Sequence, residues 1–278
     1  MILVTAAGGK TGLAVITALA AHGIDVRALR RSGTPVPGAT ETVAGDAGDL
    51  GPHLDGIDTV YFIWPNFTAG EDGAMARAIE AVLASGRRRI VYHSVLRPGL
   101  EAMPHHWDKL RAEERLAESH LDTVTLQPCS YMQNLEPLLD SIREAGLYQP
   151  LGGLDAAISF VDLADIGEVA VRACLDDGML GGAYELSGPQ PLTARDVAAE
   201  LSQVLARPVT ARETSAADWA AAARSAGLPD EAIRRGSLMT EHLLNHGFSG
   251  SPVVLEALLG RPPNRLRQYL ESVAGGSA

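Results

Sequence analysis

The chain has 278 residues, 46% of them hydrophobic, and a net charge of −11. That length gives one large domain, or a domain with a smaller lobe, and enough apolar side chains for a core. The acidic balance excludes nucleic acid, whose phosphates require a basic face. Two cysteines, Cys129 and Cys174, are too few for a disulfide framework and fit a reduced, cytoplasmic chain. No apolar run reaches the about 20 residues that cross a bilayer, and the apolar start reads as a core strand rather than a signal peptide.

Ile2–Thr5 reads as the first strand and Gly12–His22 as its helix, joined by Ala6-Ala-Gly-Gly-Lys-Thr-Gly12. Strand, small-residue turn and helix start together form a dinucleotide pyrophosphate site: small residues let backbone approach phosphate, and the helix N-terminus offers N–H groups and partial positive charge. Read as Gly-x-x-Gly-x-x-Gly, the turn has Gly9 and Gly12 in place, Ala6 in the first position and Gly8 beside it. A positive φ at Ala6 would cost on the order of 1 kcal/mol; a negative φ would cost nothing. Thr5, Ala6, Gly8, Gly9, Lys10, Thr11 and Gly12 are the expected pyrophosphate contacts. The chain has only two lysines, Lys10 in this turn and Lys109.

Strand two, Asp25–Leu29, ends in Arg30 and Arg31, with Arg27 upstream and no acid at its end. An acid there accepts from a ribose hydroxyl, whereas arginines pair with a 2′-phosphate, so the expected cofactor is NADP. A short strand at Thr42–Ala44 precedes Asp46, which can meet adenine or cap its own turn. Thr59–Ile63 is strand four, and Trp64 and Pro65 follow it at the ligand-binding edge, where their backbone can line the adenosine ribose or Trp64 can serve packing. A helix over Gly73–Ser85 leads through Arg87-Arg88-Arg89, read as a helix C-terminus favouring positive charge, into strand five, Ile90–Ser94.

A helix over Trp107–Ser119 is preceded by His105 and His106. His105 and Lys109 share a helical face, and Lys109 and Glu113 repeat the spacing for an ion pair. The histidines and Asp108 do not make a metal site, and no metal is expected. Thr123–Leu126 is strand six. Pro128 ends it as a further candidate cofactor contact, and Tyr131, Met132 and Asn134 follow as candidate substrate contacts. Strand–helix alternation through this half predicts a Rossmann-type doubly wound parallel α/β sheet with helices on both faces. The second half loses the rhythm and reads as a smaller C-terminal α/β substrate lobe. The expected division is 1–127 with 158–177 returning to it, and 128–157 with 178–278 as the lobe. Within the lobe, Thr193 caps a helix over Asp196–Leu205, and further helices cover Ala216–Ala226, Pro229–Arg235, 253–259 and 264–273. The final Gly-Gly-Ser-Ala reads as a disordered tail.

Taken together, the turn Thr5–Gly12, Val26–Arg30, Gly45-Asp46, Tyr92–Ser94, Lys109, Pro128–Leu135, Phe160–Ile166 and Gly260–Pro263 resemble the NmrA-like branch of the atypical short-chain dehydrogenase/reductases. The resemblance implies an NADP-binding domain, a lobe closing over a small-molecule cleft, and either reduction of quinones, imines or enones or service as a redox sensor. Ordinary members of the wider superfamily use a Tyr-x-x-x-Lys pair; here His105 and Lys109 hold those places. The leading reading is NADPH-dependent reduction of a small apolar or aromatic carbonyl, quinone or imine. Lys109 would serve the nicotinamide ribose or electrostatics, His105 would donate a proton, and Ser94 would touch cofactor or substrate. The alternatives are a non-catalytic NADP sensor acting through a partner protein, and a non-redox isomerase or cyclase on the same fold. No membrane partner is expected; a homodimer is possible on an exposed helical face.

Overall fold

The computed structural model describes residues 1–87, 89–150 and 152–274. Arg88, Leu151 and the expected tail at 275–278 lie outside the described residues. In chain order the elements run β1 (Ile2–Val4), α1 (Lys10–Ala21), β2 (Val26–Arg30), β3 (Glu41–Ala44), β4 (Thr59–Phe62), α2 (Glu71–Ala84), β5 (Arg89–His93), α3 (Pro104–Glu118) and β6 (Asp122–Pro128). Then come β7 (Ser130–Tyr131), α4 (Leu139–Ala145), β8 (Leu147–Tyr148), β9 (Ile158–Val161), α5 (Leu163–Leu175), β10 (Ala183–Leu186) and β11 (Pro191–Leu192). The chain ends with α6 (Ala194–Val204), β12 (Thr210–Ala211), α7 (Ala216–Ser225), α8 (Asp230–His246), α9 (Val253–Leu259) and α10 (Leu266–Ala274). It divides into two compact units.

The first unit holds Met1–Glu101, His105–Pro128 and Leu163–Glu185. Its sheet has seven strands in the order β10-β6-β5-β4-β1-β2-β3. β1 pairs in parallel with both β2 and β4, Ile2 lying opposite Val26 and Thr59. The order reverses at β1, so ligands belong at the carboxyl ends of β1 and β4. Near-continuous apolar strands fit a sheet covered on both faces. On one face Leu3, Leu29, Val60, Phe62, Ile90 and Tyr92 pack against Met75, Ala78 and Val82 of α2 and Ala112 and Leu116 of α3. On the other face α1 and α5 lie against the sheet and each other. Gly167 of α5 makes this crossing close: a Cβ there would stand 2.9 Å from Ala18 Cβ and 3.2 Å from the Ala14 carbonyl oxygen.

The second unit holds Ala102–Pro104, Cys129–Asp162 and Leu186 onward. In it β9 pairs in parallel with β7 and antiparallel with β11, and β8 pairs with β12. Asp162 ties the unit together, accepting from Gln133 Nε2 at 2.7 Å and Asn264 Nδ2 at 3.0 Å. Thr193 is the expected N-cap of α6, and with Asp196 it forms a capping box.

Several expectations are corrected. Strand Ile158–Val161 joins the small sheet instead of the main one, so the return to the first unit begins at Leu163. Strand Ala183–Leu186, expected in the lobe, is the edge of the seven-stranded sheet. Arg87 and Arg89 lie beyond α2, which ends at Ala84. Arg87 pairs with Asp58, and Arg89 opens β5, meeting Asp177 and the Cys174 carbonyl. Helix α8 runs on to His246, because Gly236 is a seat rather than a stop: a Cβ there would lie 1.9 Å from the Trp219 ring of α7. Both cysteines are buried. Burial pushes the Cys129 thiol up to about 11 and the Cys174 thiol up to about 12.

Candidate active site

The turn after β1 is built for close approach. Ala6 has φ 47°, so the strained alternative weighed from the sequence is the one adopted. Its carbonyl accepts from Gly9 N–H at 3.0 Å. A Cβ on Gly12 would stand 2.7 Å from Ala7 Cα and 2.8 Å from the Ala6 carbonyl oxygen; this contact is why α1 starts at Lys10 with a glycine in its first turn. Gly9 is the N-cap, no side chain caps the helix, and no acid stands in its first turn. Gly8, Gly9 and Lys10 are exposed and Thr11 is half-buried. The Arg30 guanidinium lies over Gly8, whose missing Cβ would be 3.0 Å from Arg30 Cζ. Arg31 is exposed beside it. Uncapped helix N–H groups, a permissive turn and an arginine seated on it fit a phosphorylated dinucleotide.

Other nearby residues have structural duties. Thr5 is fully buried; its hydroxyl donates to the Ile63 carbonyl at 2.7 Å and accepts from Ile63 N–H at 2.7 Å. Its side chain ties β1 to the end of β4. Arg27 points away from the turn, bonded to Glu41 and to the His53 and Asp55 carbonyls. Asp46 caps its own turn, accepting from Gly48 N–H at 2.7 Å. Trp64 stacks on Phe62 and donates to the Thr68 carbonyl, which favours its packing reading; Pro65 beside it is exposed.

At the end of β5, α3 lays His105, Lys109 and Glu113 on one line, four residues apart. Lys109 and Glu113 reach the end of β5, and all three are buried or half-buried. Lys109 Nζ meets Glu71 Oε1 at 2.7 Å and the His93 carbonyl at 3.5 Å. The Tyr92 hydroxyl donates to the same Glu71 oxygen at 2.6 Å. The expected Lys109–Glu113 pair is therefore replaced by Lys109–Glu71. Glu113 instead hydrogen-bonds the Ser94 hydroxyl and accepts from Gln127 Nε2, the latter at 3.0 and 2.9 Å to its two oxygens. Burial raises the Glu113 carboxyl above its usual range, against the opposing pull of Ser94, Gln127 and Lys109. Burial likewise holds the Tyr92 phenol well above its ordinary value, helped by the Glu71 charge. His93 contacts the Tyr61 hydroxyl at 2.9 Å; burial, then the Lys109 charge, drives its imidazole down to about 3. His105 packs edge-on against Phe67, with ring centroids 4.9 Å apart, and against His106. Phe67 has φ 58°, a strained backbone of the kind found at functional sites.

In the second unit Tyr131 is half-buried and Asn134 exposed, with Asn134 Nδ2 3.5 Å from Ser130 Oγ. Met132 is 1% exposed, so its side chain is core, which corrects its reading as a substrate contact. Pro128 is buried at the end of β6. Sequence reasoning missed Glu71, Tyr92 and Gln127 as members of the buried cluster. Glu71 opens an Ala-rich helix and reads as a first-turn acid; only the fold brings it to Lys109, 38 residues on.

The NAD(P)H-binding family model matches residues 6–176. The chain is 32% identical over 278 residues to a (4-alkanoyl-5-oxo-2,5-dihydrofuran-3-yl)methyl phosphate reductase of Streptomyces griseus, covering 97% of this chain and 96% of that one. It is 32% identical over 222 residues, 75% of each chain, to an NAD(P)H azoreductase of Xenophilus azovorans. The crystal structure of an NADPH-dependent quinone oxidoreductase of Escherichia coli, complexed with NADPH, superposes with a TM-score of 0.82 at 25% identity over 98% of this chain and 99% of that one. The chain belongs to the NAD(P)H-binding family, among its atypical short-chain reductases of the NmrA-like kind, and is an NAD(P)H-dependent oxidoreductase.

Proposed function

We propose that this enzyme uses NADPH to reduce a small apolar or aromatic compound with a conjugated carbonyl, quinone or imine group. The observation that carries the reading is the Arg30 guanidinium seated on Gly8 beside an uncapped helix N-terminus. Arginine offers a planar fork for a 2′-phosphate, and the turn offers N–H groups for the pyrophosphate. The names of the relatives support the substrate class: an oxo-dihydrofuran, an azo compound and a quinone are each unsaturated hydride acceptors.

The bound cofactor supplies the hydride. The backbone of Ala6–Gly12, with Lys10, Arg30 and Arg31, binds and orients it. Lys109 adds a fixed positive charge at the end of β5, held in place by Glu71. Ser94, at the same strand end, donates a hydrogen bond toward the reacting group. Tyr131 and Asn134 are the proposed substrate contacts. Calorimetric titration with NADPH and NADH separately, followed by a turnover panel of quinones, imines and enones, tests the reading. Tight NADPH and weak NADH binding with consumption by at least one acceptor supports it; equal binding, or no consumption, overturns it.

A further inference from the structure

A hydride leaves the acceptor one proton short, and the place of the usual tyrosine is held by His105. Two side chains near the strand end can supply that proton. His105 lies in an aromatic cluster with Phe67 and His106. Ser94 has a carboxyl directly behind it, Glu113, which is held on its other side by Gln127.

The cluster has two carboxyls and one ammonium. Lys109 and the Tyr92 hydroxyl both bind Glu71, so Glu71 takes the positive charge. Glu113 is held by two neutral groups, Ser94 and Gln127. A second, half-buried carboxylate bonded only by neutral groups costs more when charged than when it keeps a proton. The direction of the Ser94 bond follows from this. A carboxylate only accepts, so an ionised Glu113 would hold the Ser94 proton inward. A protonated Glu113 donates to Ser94 Oγ, and the Ser94 proton is then released from the carboxyl.

We propose that Glu113 is the proton reservoir of the reduction, acting through Ser94. The inference rests on the reductase reading. When the acceptor takes the hydride, an electron pair moves onto its heteroatom. That atom takes the Ser94 Oγ proton, Ser94 Oγ takes the Glu113 proton, and Glu113 is left as a carboxylate. Water reprotonates it between turnovers. Tyr92 of β5, Ser94 just beyond it, Gln127 of β6, Glu71 of α2 and Lys109 of α3 are the groups facing it, and only Lys109 favours its ionised form by charge. Glu113 touches no substrate in this scheme and is a positioning residue.

The test pairs an infrared difference spectrum with a pH profile. Parent minus Glu113→Gln, each without substrate at pH 7, should contain the C=O stretch of a protonated carboxyl. The parent's kcat with a quinone should fall as pH rises through the Glu113 ionisation. Glu113→Gln should lose about ten-fold or more in kcat, with a flat profile and unchanged NADPH affinity. Glu113→Asp, still an acid, should retain a shifted band and serves if the glutamine variant does not fold. Absence of the band, an unchanged profile in Glu113→Gln, or transfer of the whole effect to His105→Asn would overturn the proposal. If no acceptor consumes NADPH, the reductase reading fails and the proton delivery with it; a parent that turns over without the band sinks the reservoir alone.

Discussion

At the scale of single residues, the site is a set of exchanged partners. Arg30 is the residue whose loss should be selective. Arg30→Ala should weaken NADPH binding by about ten- to a hundred-fold, the worth of a charged hydrogen bond, and leave NADH nearly unchanged. Equal losses in calorimetry would remove its phosphate role. Lys109→Ala leaves Glu71 buried without its cation and should cost about 3–5 kcal/mol in urea unfolding, besides lowering turnover; a variant as stable as the parent would contradict the pairing. His93 makes a prediction with a definite sign. Its imidazole is held neutral down to about 3 when folded, against about 6.5 when unfolded. Below 6.5 the unfolded chain binds the extra proton, so stability is fully present above that pH and drains away as pH falls toward 3. Unfolding midpoints between pH 7 and 4 should drop more steeply for the parent than for His93→Gln. Parallel curves would mean that His93 charges in the folded protein.

At the scale of elements, the first half was legible because each βα unit advertises itself. Apolar strands, glycine turns and Ala-rich helices recur there in order, and the parallel sheet follows from chain connectivity alone. Helix ends were less legible. α3 begins at Pro104, where a proline suits the first turn, although its apolar periodicity starts only at Trp107. Partners across the sheet were not legible. Thr5 and Ile63 are 58 residues apart, and no local pattern says that a threonine in a nucleotide turn will spend its hydroxyl on the neighbouring strand. The same holds for Glu71, whose meaning depends on which helix faces it. The α1–α5 crossing gives a test at this scale. Gly167→Ala would press a methyl 2.9 Å from Ala18 and should cost about 1–3 kcal/mol by overpacking, read in denaturant unfolding. An unaffected variant would mean that the helices can part freely.

At the scale of the whole molecule, the ligand should be a stabiliser. A cofactor that binds only the folded chain adds about 2.7 kcal/mol at a hundred times its Kd. NADPH should therefore raise the unfolding temperature well above any effect of NADH at equal concentration, and similar shifts would count against the arginine seat. The two buried cysteines give the fold a last consequence, in the chemistry of self-protection. Quinones and enones are soft electrophiles that alkylate thiolates. With thiols held at about 11 and about 12, on the order of one cysteine in ten thousand or fewer is a thiolate at neutral pH. Under the proposed function, an enzyme meeting such acceptors turnover after turnover keeps both cysteine sulfurs as inert thiols, inside the protein. Folded protein incubated with benzoquinone should show no thiol adduct by intact mass, while protein in denaturant should gain two.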